Sequence, residues 1–388
     1  MPRFPHPAPT TDGLSDKVFG ALIAKARARG GKVHPLHVGD TWLEPYEGAR
    51  AEAQLTADHP RLHNYSPVQG EPALLDAITR FLATRADVAV ARDDLQVVPG
   101  GTAGLSIVIA ALVMPGDEVL LPSPFWPLIR GIISSRGARA VEVPLFDRLD
   151  DPSLDITAHL ERHVTDRTTA IYVNTPNNPT GRVLTERALE AITRVALRHD
   201  LWVISDEAYE LLDYRTDRTA PVWARPDLFD RTVATHTLSK SHGLAGSRVA
   251  FTHGPPSIMP AIRGVQTFMT YCAPHPMQLG AARALDDGGA WVEHARTLYA
   301  AAGRRAADTL GIARPEAGTF LFFDASAWLA PGEDVVAFLE RCLDAGVLLT
   351  PGSASGRDFA RWARLCFTTV PPTELEDALG RLSSVLQR

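Results

Sequence analysis

Cysteine is scarce in this chain, with Cys272, Cys342 and Cys366 the only three among 388 residues. An odd number without paired spacing excludes a disulfide framework and a zinc site built from cysteine pairs, and it fits a reducing compartment, so a cytoplasmic protein is expected. Runs of one charge are missing too. Lys and Arg number 39 against 45 Asp and Glu, for a net charge of −6, which leaves no basic stripe to meet nucleic acid or an anionic membrane. No hydrophobic run is long enough to cross a bilayer: the longest, around Leu105 to Met114, is about half of a membrane span. The N-terminus, Met1-Pro2-Arg3-Phe4-Pro5-His6-Pro7, is broken by proline and lacks the apolar segment of a secretion signal. Internal repeats and low-complexity segments are also absent. What is present, 45% hydrophobic and 22% charged residues, describes a globular chain large enough for two domains, with a small molecule as its expected ligand.

Between about residues 70 and 254, short β-branched or apolar runs alternate with longer helical patterns, the signature of βαβ units and a mostly parallel sheet. Strands are expected at Asp117 to Leu121, Ala140 to Pro144, Ala170 to Asn174, Trp202 to Ser205, Thr232 to Thr237 and Arg248 to Thr252. Helices between them include one opened by Pro72 and carrying Leu74, Leu75, Ile78, Phe81 and Leu82, and one capped by Thr185 and carrying Leu189, Ile192, Val195 and Ala196. After about residue 280 the texture changes to helices and short strands. One helix through Val335, Phe338, Leu339, Cys342 and Leu343 stops at Gly346; another is expected to open on a Thr373/Glu376 capping box and run through Leu379 to Leu386. The expectation is an α/β fold: a mostly parallel central sheet sandwiched by helices over residues 46–280, and a smaller α+β domain at 281–388 to which an N-terminal arm, 1–45, contributes.

Three clusters of reactive or polar residues stand at predicted strand ends, where open α/β sheets place their ligands. Thr237-Leu238-Ser239-Lys240-Ser241-His242-Gly243-Leu244-Ala245-Gly246-Ser247-Arg248 combines hydroxyls, glycines and two cations after a buried strand. Ser205-Asp206-Glu207-Ala208-Tyr209 ends another strand with acids and a phenol, and Asn174-Thr175-Pro176-Asn177-Asn178-Pro179-Thr180-Gly181 ends a third in a polar turn. A fourth segment, Val98-Pro99-Gly100-Gly101-Thr102-Ala103-Gly104, leads into the apolar helix at Leu105, and glycines before a helix start let backbone N–H groups approach an anion. Metal binding is not expected. His34 and His37 are three apart, but Pro35 breaks the helix that would align them.

The Asn-Pro-Thr-Gly turn, the Asp-x-x-Tyr after a strand, the Ser-Lys with an arginine eight residues later, and Arg364-Leu365-Cys366-Phe367 occur in an order that resembles the class I/II aminotransferases, a family of fold-type I pyridoxal-phosphate enzymes. The resemblance implies pyridoxal 5′-phosphate as cofactor, held by Lys240 through a Schiff base. It implies Asp206 against the pyridine nitrogen, Tyr209 and Asn178 on the phenolic oxygen, and Trp126 rather than Phe125 against the ring face. Gly100, Gly101, Thr102, Thr237, Ser239 and Arg248 would form the phosphate cup, where Thr237 stands for the family's frequent serine and keeps its hydroxyl. Arg364, rather than Arg357 or Arg361, would grip the substrate α-carboxylate with Asn178 nearby, beside the Gly39 and Trp42 loop. Tyr65 would reach a partner's phosphate, so a homodimer with shared sites is implied, as is the segment Thr267 to Gln278 presenting to the neighbour's site.

Transamination through a 1,3-proton shift at Lys240, with an amino acid and a ketoacid as substrates, is the leading reading. The alternative is a β-lyase, decarboxylating or cyclising enzyme of specialised metabolism on the same fold. Least favoured is a non-catalytic regulatory module, since the roughly 45 residues ahead of the matching region are too few for a helix-turn-helix domain and linker. The loop Gly39-Asp40-Thr41-Trp42-Leu43-Glu44-Pro45 carries an aromatic and two acids, and Thr270-Tyr271-Cys272 offers no arginine for a second substrate carboxylate. An aromatic, sulfur-bearing or cationic amino acid is therefore expected ahead of a dicarboxylic one.

Overall fold

The structure, a computed structural model, describes residues 8–11, 14 and 20–387; the proline-broken stretch 1–7 lies outside them. The larger of two sheets has seven strands: β1 (Leu95–Val98), β2 (Glu118–Ser123), β3 (Arg139–Pro144), β4 (Thr168–Asn174), β5 (Trp202–Asp206), β6 (Thr232–Thr237) and β7 (Ala250–His253). Their order in space is β1-β7-β6-β5-β4-β2-β3. From β3 to β6 all neighbours run parallel, whereas β7 is antiparallel to both β6 and β1. The reversal has a local cause. A parallel return needs a crossover, usually an α-helix, and the β6–β7 link that carries Lys240 contains no α-helix.

Helices cover both faces. On one, α5 (Ile156–Glu161) and α6 (Glu186–Arg198) pack Leu189, Ile192 and Val195 against Ile171, Val173 and Val203. On the other, α3 (Gly101–Leu112), α4 (Pro127–Ser135) and α7 (Met259–Met269) bury Leu105, Val108 and Ile262 against Tyr172, Ile204 and Val233. Successive strand residues point to opposite faces, and each side chain so removed from water contributes roughly 2 kcal/mol. The expected Thr185 cap is present, its hydroxyl accepting the Ala188 N–H, and Pro72 opens α2 (Pro72–Ala83) at its first position.

The smaller sheet is antiparallel, in the order β8 (Phe320–Asp324), β10 (Trp362–Cys366), β9 (Thr350–Pro351). With α9 (Gly289–Leu310), α10 (Val335–Asp344) and α11 (Pro372–Leu386) it encloses a second core that Leu22 of α1 (Gly20–Ala28) and Leu36 also enter. A parallel bridge from His34 to Val347 ties the N-terminal segment there. Gly346, at φ +89°, follows α10 as expected. The Thr373 capping box does not form. Pro371 and Pro372 set the start of α11 and no side chain caps it, while Glu376 turns outward to pair with Arg305 at 2.7 Å. Likewise the last predicted strand begins later, at Ala250, because Arg248 adopts φ +52°, and the apolar helix starts at Gly101 and ends at Leu112.

Candidate active site

The carboxyl ends of β4, β5 and β6, the start of α3 and the near end of β10 converge on one cleft of about 220 Å³. Asn174 pairs with Asp206 across β4 and β5, and Asp206 with Thr235 across β5 and β6, so the three share one face. Asp206 lies at the bottom. Its Oδ2 accepts the Tyr172 hydroxyl at 2.6 Å and its Oδ1 the Ala208 N–H at 3.2 Å, while Asn174 Nδ2 donates to its carbonyl. Burial pushes the Asp206 carboxyl up to about 6, against the pull of the Tyr172 and Ala208 donors.

Lys240 projects from the loop after β6 into the same cleft. Burial lowers the pKa of its amine, opposed by Asp40, whose Oδ1 is 3.7 Å from Nζ. Opposite stands Arg364 on β10. Its Nη1 donates to Asn178 Oδ1 at 3.0 Å, its Nη2 to the His37 carbonyl at 3.0 Å, and its Cζ sits 4.3 Å from the Phe320 ring centroid. Asn178 Nδ2 in turn donates to the Tyr209 hydroxyl at 3.3 Å. Gly39 closes this side, and only glycine fits, since a Cβ there would come within 2.6 Å of Phe320.

The far end is a cradle. Gly101 and Thr102 open α3 and line the cleft with Thr237, Ser239 and Arg248. The Thr237 and Ser239 hydroxyls lie 2.9 Å apart. Gly100 sits behind them at φ +91°, where a Cβ would fall 2.2 Å from the Arg248 guanidinium. Trp126, just ahead of α4, lines the cleft; Phe125 does not, being 0% exposed in the core.

Besides Gly100, two expected residues lie off the cleft's lining, and one of them, Tyr65, is expected at a neighbour's site instead. Trp42 packs toward the smaller core, and its backbone N–H donates to the Thr368 carbonyl. Tyr65 is 82% exposed and stands edge-on to Tyr271 at 5.1 Å. Conversely, Tyr172, Thr235, Phe320 and Asp40 belong to the site's surroundings and were not singled out by sequence. The available signal was spacing: Tyr172 is two residues from Asn174 on one strand, hence on its face.

The family model for aminotransferase class I and II matches residues 32–382. The chain belongs to the class I and II aminotransferases. An aspartate aminotransferase of Musicola paradisiaca is 32% identical over 312 residues, 78% of this chain and 77% of that protein. An arginine–pyruvate transaminase of Pseudomonas aeruginosa is also 32% identical, over 313 residues, covering 78% and 77%. Among solved structures, a Thermus thermophilus aspartate aminotransferase mutant superposes with a TM-score of 0.88 at 28% identity, covering 99% of this chain and all of that one.

This aminotransferase is accordingly a pyridoxal-phosphate-dependent transferase, and its residues fit that group. The cradle offers an anion the N-terminus of a twelve-residue helix, two hydroxyls and a guanidinium. Two buried polar atoms at the cleft, Thr235 Oγ1 and Arg364 Nε, lack any protein partner. Among the described residues, no helix is long and apolar enough to cross a membrane.

The raised Asp206 pKa has a thermodynamic consequence for this aminotransferase without its cofactor. An unfolded chain loses the proton near 3.8 and the folded one only near 6, so folding is progressively opposed as pH climbs between them, by about 3 kcal/mol above pH 6. Asp206→Asn removes that burden. The variant apoenzyme is expected to melt about 5 °C above wild type at pH 8, and level with it at pH 4; equal melting at both pH values in calorimetry would contradict the assignment.

Proposed function

We propose that this chain exchanges amino groups between an amino acid with an aromatic, sulfur-bearing or cationic side chain and a ketoacid, as a cytoplasmic homodimer with shared sites. The observation that carries the reading is the convergence of Lys240, Asp206 and Arg364 on one cleft. Bound pyridoxal phosphate supplies an electron sink for charge developing at the substrate α-carbon. Lys240, its amine made more readily neutral by burial, would hold the cofactor's aldehyde carbon until the substrate's amine takes its place there, and the amine so released would move the proton at the substrate α-carbon. Asp206 would accept from a protonated ring nitrogen, Tyr209 and Asn178 would donate to the phenolic oxygen, and Trp126 would cover the ring face.

Gly101, Thr102, Thr237, Ser239 and Arg248 hold the phosphate, with Gly100 leaving room for the Arg248 guanidinium. Arg364 would offer the α-carboxylate its unpartnered Nε, and Gly39 keeps the space beside Phe320 open. Substrate class is supported by the cleft lining: among the described residues of this chain the cations there, Lys240, Arg248 and Arg364, all have assigned tasks, while Leu105, Ala208, Ala245 and Phe320 add apolar wall. Three cysteines without disulfides suit a reducing cytoplasm.

An amino-acid panel assayed with and without a ketoacid acceptor tests the reading. Turnover of aromatic, sulfur-bearing or cationic donors that requires the acceptor is expected. Efficient use of aspartate and glutamate alone would overturn the substrate class, and ammonia release without acceptor would replace transfer by elimination.

A further inference from the structure

Asp206 is buried without a cationic partner among the described residues, and its shortest contact is the Tyr172 hydroxyl at 2.6 Å. That hydroxyl makes no other hydrogen bond, and Tyr172 is 1% exposed. Strand register explains the meeting. Tyr172 pairs with Ile204, and Asp206 follows two residues later on the same face, so the phenol leans along the sheet and its tip reaches the carboxylate. Each Asp206 oxygen thereby has one fixed protein donor, Tyr172 on Oδ2 and Ala208 N–H on Oδ1. Only the first is a side chain, so only it can be removed without moving the backbone.

From this geometry we infer that Tyr172 is a positioning residue for the cofactor, fixing the Asp206 carboxylate in place and keeping it ionised. The inference rests on the reading of Asp206 as the acceptor for the ring nitrogen. A hydrogen bond to the charged form of a buried acid favours that form, and without it the carboxylate is freer to rotate and takes a proton more readily. The other titratable groups around Asp206 are Tyr209 and Glu207 on its own segment, His236 on β6 with Glu210 against its Nδ1, and Lys240 across the cleft. None of them hydrogen-bonds the carboxylate.

The test is titration of the apoenzyme with pyridoxal phosphate from pH 5 to 9, following the visible absorption of bound cofactor, for wild type, Tyr172→Phe and Asp206→Asn. Tyr172→Phe is expected to weaken cofactor binding about tenfold at pH 7, the order expected for one hydrogen bond to a charged group, and to raise the pH below which binding falls off. Trifluorotyrosine at position 172, a stronger donor of the same shape, is expected to move that pH the opposite way. A purely structural tyrosine would give no such pair of opposed shifts. If Asp206→Asn weakens binding while both position-172 variants behave as wild type, the inference is overturned and the site reading stands. If Asp206→Asn is itself indistinguishable from wild type, both fall.

Discussion

Lys240→Ala is expected to lower kcat about 10⁴-fold, the upper end of what a positioned proton-transfer group supplies, while the protein still takes up pyridoxal phosphate through its cradle and Asp206. Borohydride, which should fix the cofactor to the wild-type chain, is expected to fix none to the variant. The loss should not come from unfolding. The Lys240 side chain is partly buried with a carboxylate at 3.7 Å, and burial disfavours its charged form, so its removal relieves desolvation as well as costing contact.

The same variant also tests whether two chains build each site. Tyr65 stands outside the cleft of its own chain, 82% exposed and edge-on to the exposed Tyr271, and exposed aromatic groups of this kind mark interaction surfaces. A Tyr65→Ala chain mixed with a Lys240→Ala chain would assemble one site with both losses and one with neither. Random pairing then restores about a quarter of wild-type activity. No restoration would mean that Tyr65 serves no neighbour's site, and substantial activity in Lys240→Ala alone would remove lysine from the chemistry.

What the sequence disclosed and what it withheld have separate physical origins. Strands β2, β4, β5 and β6 are largely buried on both faces, so they read as β-branched or apolar runs between helical periods, and Thr232 to Thr237 falls where expected. Strand β1 did not emerge, because four residues, Leu-Gln-Val-Val, are too few to establish a period before Pro99 and Gly100 intervene. The direction of β7 depends on a link whose lack of an α-helix is not obvious in a stretch containing Lys240 and three small residues around Gly246. In the site, lysine, acids and glycines are conspicuous because such residues are rarely left at buried strand ends without a reason. Tyr172 and Phe320 are not, since an aromatic inside an apolar strand resembles ordinary core until its partner across the sheet is known. Trp42 differs in the other direction: the resemblance implied a place beside the substrate, but its loop is tied to Thr368 and its side chain packs toward the smaller core. Tyr65 stands outside its own chain's cleft, where a residue serving a neighbour's phosphate would have to stand.

Arg364→Ala is expected to reduce kcat/KM by 10²- to 10³-fold, about the effect of truncating one member of a buried, hydrogen-bonded charged pair, with KM rising for amino acid and ketoacid alike. The equality is the diagnostic. Both substrates present an α-carboxylate, so a residue that grips this group penalises the two half-reactions together, whereas a side-chain contact would penalise only one donor class. Arg364→Lys should recover little. Lysine keeps the charge but cannot hold Asn178 Oδ1 and the His37 carbonyl with two Nη atoms while leaving a third nitrogen for substrate, as arginine does with its unpartnered Nε. Nor does a flexible ammonium replace the plane that lies over Phe320 at 4.3 Å. Part of the measured loss will belong to Asn178, which Arg364 orients and which in turn donates to Tyr209. A primary amine lacking the carboxylate separates the two contributions: its slow turnover should be unchanged if Arg364 acts only on the α-carboxylate, and reduced by whatever fraction passes through Asn178. An unchanged KM for the amino acid in Arg364→Ala would transfer the carboxylate to another cation, and Arg357 and Arg361, both on the exposed rim, would be the next to replace.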